Sequence, residues 1–125
     1  MLGVQNVQFG GFVSGVSGIW KDHHALVLPS RKEGLPIVLL EASLCGRTAI
    51  CNNVAGVPEV LTDGVTGFLS QAPDVTLFSE AMERAWASRS QWREMGLRAA
   101  EKVRALVPEK PAETFAARLA QLASS

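Results

Sequence analysis

Residues 26–59 constrain the fold of this chain more than any other stretch. Three apolar residues, a proline, a polar loop, a second proline, an apolar octet, a Cys-Gly turn and a β-branched run follow in order. Leu26-Val27-Leu28 predicts a buried strand, and Pro29 ends it because proline has no N–H for a central ladder. Ser30 to Gly34 is polar and turn-forming. Pro36 is suited to opening a helix, where its missing donor falls among groups that lack intrahelical partners anyway. Residues 37–44 are then helical and apolar on nearly every side except at Glu41, and Gly46 stops them. So little polar surface predicts a helix held between other layers. A carboxylate at its centre needs a partner or a task.

Strand, loop and helix start together predict the ligand-holding corner of an open α/β sheet. There the carboxyl end of a strand meets the amino end of a helix, whose free N–H groups favour anions. Glu33 lies in the loop and Glu41 eight residues later. Within a helix, a step from i to i+8 rotates roughly 80° and rises roughly 12 Å. Because Glu33 precedes the helix, the loop can bend it back over the helix start. The two carboxylates suit separate parts of one extended polar ligand better than a shared metal or proton.

At 125 residues the chain is expected to form a single domain, 1–125, with alternating strands and helices over 1–73 and helices over 74–125. Its 12 basic and 12 acidic residues balance, which argues against a polycationic nucleic-acid surface. No apolar run approaches the roughly 20 residues of a membrane span. Residues 1–20 lack a basic leader joined to a continuous apolar core, so neither a transmembrane segment nor a signal peptide is expected. Cys45 and Cys51 sit in apolar surroundings and predict two buried free thiols in a reducing compartment. His23 and His24 read as structural or solvated. Two adjacent histidines without a third ligand do not make a metal site, and neither a metal nor another cofactor is expected.

Along the rest of the chain, Val7 and Phe9 with the following glycines predict a strand within 4–13, and 14–24 a short helix carrying Val16, Ile19 and Trp20. Residues 48–52 predict another strand, 58–61 a helical turn, Asp63-Gly64 a turn and 67–70 a last strand. Asp74 can cap a helix in which Leu77, Phe78, Ala81, Met82 and Ala85 recur at helical spacing. Ser88 or Ser90 caps a second, and 111–122 forms a third with Phe115, Leu119 and Leu122 on one side. Trp20, Trp86 and Trp92 all fall at core-like helical positions. The alternation predicts an α/β fold: a partial Rossmann-like parallel sheet of about four strands, flanked by helices and followed by a helical tail. A complete Rossmann unit has six strands, so this reads as its later part.

A series of spaced motifs goes further. Pro29-Ser30-Arg31-Lys32-Glu33-Gly34-Leu35-Pro36, Glu41-Ala42, Cys45-Gly46, Gly56-Val57-Pro58-Glu59 and Asp63-Gly64-Val65-Thr66-Gly67-Phe68 follow in order. Over roughly 9–106 they closely resemble the C-terminal domain of retaining, nucleotide-sugar-dependent glycosyltransferases of the GT-B fold, the large group 1 family. The resemblance implies that Glu33 is the first glutamate of a Glu-x7-Glu motif, facing the donor sugar and the reacting region. It implies that Glu41 accepts hydrogen bonds from the ribose hydroxyls of the nucleotide. The N–H groups of Gly34, Leu35 and Ile37 would lie against the sugar and diphosphate, with Ser30 and Arg31 at the mouth of the same corner. Gly56 would let its loop approach closely, with Glu59 pinning that loop.

The strand, glycine-containing loop, Arg and Lys that open the family's domain would lie upstream of Met1. The acceptor-binding N-terminal domain would lie outside this chain as well. The resemblance therefore implies an incomplete donor-binding domain of a cytoplasmic enzyme, peripheral to the membrane at most, with little or no activity alone. Arg47 and Lys32 do not replace the diphosphate-binding pair. Its partners would be a nucleotide sugar and an unknown acceptor, with no nucleic acid. An alternative stays open: a standalone binding or assembly module that self-associates into a homo-oligomer through an exposed sheet edge or apolar face. An epimerase or phosphorylase relative fits less well, since no pyridoxal-phosphate lysine site is visible.

Overall fold

Thr48-Ala49-Ile50-Cys51-Asn52 is small or β-branched over most of its length, and it forms the central strand of a three-stranded parallel sheet. The structure, a computed structural model, describes residues 5–11, 16–32, 34–106 and 109–123. Its strands are β1 (Ala25–Leu28), β2 (Thr48–Asn52) and β3 (Phe68–Ser70), in the order β1-β2-β3. Leu28, Cys51 and Leu69 stand in register on one face, and Val27, Ile50 and Phe68 on the other. Every residue of β2 is buried, as expected of a parallel strand covered on both faces.

The helices are α1 (Val16–Ile19), α2 (Ile37–Leu44), α3 (Val57–Val60), α4 (Val75–Ala87), α5 (Trp92–Leu106) and α6 (Pro111–Ala123), with a 3-10 turn at Arg89–Gln91 before α5. On the first face, Leu26, Ala49, Cys51 and Leu69 pack with Leu39 and Ala42 of α2, Val57 and Val60 of α3, and Val103 of α5. On the second, Ile50 and Phe68 pack with Ala81 and Ala85 of α4 and with Met95 near the start of α5. Helix α5 thus begins on one face of the sheet and ends on the other. In the turn before β3, Asp63 accepts the Leu69 N–H (2.8 Å) and meets Arg84 of α4 (3.1 Å).

Several expectations are corrected. Among the described residues the sheet has three strands, not about four: residues 5–11 form no strand, Val7 and Phe9 are 51% and 80% exposed, and the ends of the strand expected within 4–13 lie outside the described residues. Alternating apolar residues make a strand only where a neighbour completes the ladder, and the outer edge of β1 has none among the described residues. The helix expected over 14–24 is described only as the four residues of α1, with Trp20 buried after it. Cys51 is buried but Cys45, at the end of α2, is exposed; both are free thiols. Trp86 is 60% exposed on the outer side of α4 instead of in the core. The third helix is present as α6, but none of its residues is buried.

Candidate functional site

The loops after β1 and β2 and the start of α2 meet at the carboxyl edge of the sheet. Asn52, the last residue of β2, donates its side-chain amide to the Ser30 carbonyl (3.2 Å) and ties the two loops together. Gly56 brings the second loop against the first. Its N–H makes a long bond to the Gly34 carbonyl (3.4 Å), and a Cβ built there would stand 3.4 Å from that of Leu35. In the same loop Ala55 has φ +43°, a left-handed conformation that favours glycine. This close approach is the one expected of Gly56. Glu59, in contrast, is exposed on α3 and its side chain pins nothing among the described residues.

Helix α2 begins here without a side-chain cap. Pro36 takes the N-cap position with extended dihedrals (φ −70°, ψ 120°), and the first side chain, Ile37, is 69% exposed. The helix is therefore not enclosed on all sides: Leu39, Ala42 and Ser43 are buried, while Ile37 and Leu44 project outward. Residues three and four apart share a helical face, so Glu41 belongs to the outward stripe of Ile37 and Leu44. Its rise from Ile37 is roughly 6 Å. Glu41 is half-buried, and no hydrogen bond or ion pair engages its carboxylate among the described residues.

The expected site residues separate into groups. Gly34, Leu35 and Ile37 are exposed around the start of α2, with Glu41 on the same helix. Ser30 is half-buried, with its carbonyl held by Asn52. Arg31 is exposed on the α4 side, lining a cleft of about 160 Å³ with Pro29, Asn52, Pro73, Asp74 and Phe78. Asp74 there caps α4 by accepting the Leu77 N–H (3.0 Å). Glu33 lies outside the described residues. Arg47 is at the opposite, amino edge of the sheet, donating its Nε to the Trp20 carbonyl (2.8 Å). His23 donates its ring Nδ1–H to the Ile19 carbonyl (2.7 Å), a structural role. Sequence reasoning passed over Asn52. Its signal was a polar residue closing an otherwise mostly apolar strand, and its Oδ1 is buried without a partner among the described residues.

A family model described as glycosyl transferases group 1 matches residues 1–88. The chain belongs to this family. It is 37% identical over 81 residues to an uncharacterized 41.2 kDa protein in the cps region of Klebsiella pneumoniae, an overlap covering 63% of this chain and 23% of that protein. It is 34% identical over 107 residues to a GDP-mannose-dependent alpha-(1-6)-phosphatidylinositol monomannoside mannosyltransferase of Mycolicibacterium smegmatis, covering 63% of this chain and 28% of that one. Among solved structures, sucrose-phosphate synthase from Thermosynechococcus elongatus superposes with a TM-score of 0.74 at 28% identity, covering 86% of this chain and 27% of that one. The chain thus spans only about a quarter of these group 1 relatives. Its three-stranded sheet, flanking helices and helical C-terminal region form a partial Rossmann-like unit of the GT-B type. Among the described residues, no helix is long and apolar enough to cross a membrane.

Proposed function

We propose that this chain is the donor-binding part, a single domain over 1–125, of a glycosyltransferase that moves a sugar from a nucleoside-diphosphate donor to an acceptor held by other parts of the enzyme. The observation that carries the reading is Glu41: a half-buried carboxylate with no partner among the described residues, roughly 6 Å along the helix from an uncapped start. A diol supplies what that carboxylate lacks, and a diphosphate suits the N–H groups of Gly34, Leu35 and Ile37 at the positive end of α2. In this reading Glu41 accepts the ribose hydroxyls, Glu33 faces the donor sugar, and Ser30 and Arg31 close the mouth. Transfer breaks the bond between the anomeric carbon and the diphosphate oxygen, joins the same carbon to the acceptor hydroxyl oxygen, and passes that hydroxyl's proton to the leaving diphosphate. Stabilising the leaving diphosphate is the main electrostatic need. The GDP-mannose dependence in the name of the Mycolicibacterium smegmatis relative supports a nucleotide sugar as the donor class.

Saturation-transfer NMR and calorimetry with UDP, GDP and their sugars test this. At least one nucleotide sugar should bind, weakly to this chain alone. Glu41→Ala should weaken it by about 10-fold or more, the worth of a hydrogen bond to a charged group. Unchanged affinity in Glu41→Ala, or no binding of any nucleotide sugar to the longest natural form of the protein, would overturn the reading.

A second reading, self-association, rests on β1. It pairs on one side only among the described residues, and Val27 on it is 44% exposed. Beside it Ala25, Ile50, Met82 and Trp92 line an apolar hollow of about 340 Å³. Open edges and apolar hollows favour pairing with another chain. Light scattering at tens of micromolar should report a dimer or larger species; a clean monomer rules this reading out.

A further inference from the structure

The amino edge of the sheet, opposite the corner assigned to the donor, carries a second concavity. It measures about 640 Å³ and is lined by His24 before β1, Gly46 and Arg47 before β2, Trp86 of α4, and Arg89 and Arg93 around the start of α5. Its lining contains three guanidinium groups, an imidazole and no carboxylate. The chain as a whole is neutral, with 12 basic and 12 acidic residues, so this is a local segregation of charge.

Two of the guanidinium groups are held by neutral partners. Arg47 uses only its Nε, on the Trp20 carbonyl. Arg89 donates to the Trp86 carbonyl (2.9 Å) and lies over the Trp86 indole, 4.4 Å from its centre. Trp92 meets Trp86 edge to face (6.3 Å) and anchors its own N–H on the Ala85 carbonyl (2.8 Å). Arg93 has no bonded partner among the described residues, and the ion pairs of the neighbouring elements, Arg98 with Glu94 and Arg84 with Asp63, leave His24, Arg47, Arg89 and Arg93 without a carboxylate partner among the described residues. Carbonyls and an indole orient these cations without cancelling their charge. Arginines grouped in this way suit oxyanions with several acceptor oxygens, because the planar fork meets phosphate oxygens in pairs.

We propose that this concavity is a binding site for a phosphate-bearing ligand, a phosphomonoester or diphosphate, separate from the donor corner. The ligand's phosphate bridges Arg89 and Arg93, with Arg47 and His24 on the inner side and the exposed Trp86 as its apolar wall. A soluble phosphorylated compound and a phospholipid headgroup share this chemistry, and two probes distinguish them.

In heteronuclear NMR of the whole chain, inorganic pyrophosphate at low ionic strength should shift the Trp86 indole and Arg93 side-chain signals saturably. In sedimentation, vesicles of phosphatidylglycerol and phosphatidylcholine should carry the chain down if the source is a headgroup, with phosphatidylcholine alone as the control. Either response supports the site if Arg93→Ala, whose side chain holds nothing in the fold, weakens it about fivefold or more; Arg89→Ala gives a second variant. The proposal is overturned if neither probe engages, if both variants respond as the parent does, or if pyrophosphate shifts only the amides of Gly34, Leu35 and Ile37. That last pattern would leave the donor corner standing and remove this site alone. Loss of the Glu41 effect would do the converse.

Discussion

Replacing Gly96 with alanine tests how the two ends of this fold are held together. In an exposed helix the change would stabilise by about 1 kcal/mol, since alanine is the best helix former and glycine among the worst. Gly96 is buried in α5, where the helix crosses the turn between α2 and β2. A Cβ there would collide with the Gly46 carbonyl group, standing 2.6 Å from its carbon and 3.1 Å from the Arg47 nitrogen. Both neighbours are backbone, and Gly46 is itself at φ +74° and closes α2. The turn cannot yield as a flexible side chain does, so the upper end of the usual overpacking cost, about 3 kcal/mol, applies. Subtracting the helical gain leaves a net destabilisation of about 2 kcal/mol.

Urea unfolding followed by far-UV circular dichroism measures this. For a domain of this size the midpoint should fall by roughly 1 M. Gly46→Ala, which builds a side chain onto a left-handed residue where it would only touch Leu97 Cδ2 at 3.9 Å, should cost less, about 1 kcal/mol. A Gly96→Ala protein as stable as the parent, or more so, would refute the close crossing of α5 over the turn. It would also remove the reason for placing α2, and Glu41 with it, where they are.

Two further outcomes follow from the core and the turn before β3. Burial pushes the Cys51 thiol from 9.0 up to about 12. The folded state therefore keeps a proton that the unfolded chain loses above pH 9, so stability is full below that pH and falls by about 1.4 kcal/mol per unit as pH rises towards 12. Cys51→Ala should flatten this slope in urea titrations between pH 8 and 11, and a thiol reagent should label the exposed Cys45 while sparing Cys51 in the native state. Asp63→Ala should destabilise by about 1–2 kcal/mol with little salt dependence, because its main loss is the hydrogen bond to the Leu69 N–H. Arg84→Ala, which gives up an exposed ion pair and a hydrogen bond to the Leu69 carbonyl (3.1 Å), should cost less than Asp63→Ala, about 1 kcal/mol. A reversed order in chemical denaturation would contradict this division.

Local chemistry made much of both edges of the sheet legible. Pro29 ending β1, Pro36 opening α2, Gly46 closing it and Asp74 capping α4 are each settled by a residue's own dihedral preferences or missing donor, and each stands where expected. The close approach at Gly56 came from the group 1 resemblance, and its missing Cβ is what permits it. The strand expected around Val7 and Phe9 was not, because pairing depends on a neighbour that no local pattern names. Cys45 and Trp86 were misjudged for a related reason: apolar neighbours in sequence do not tell which side of a helix meets another layer.

The order of apolar runs, prolines and glycines by itself determined an α/β chain of parallel type, the position of the loop before α2, and membership in the group 1 family through motifs spaced along one strand–loop–helix unit. Only the tertiary structure decided that Glu41 shares the outward stripe of Ile37, that Asn52 ties two loops together, and that Arg47 lines one concavity with Arg89 and Arg93 from a distant stretch of chain. Backbone preferences act within a few residues and are written locally. Exposure, partnership and the gathering of charge depend on which surfaces the packed sheet and helices bring together.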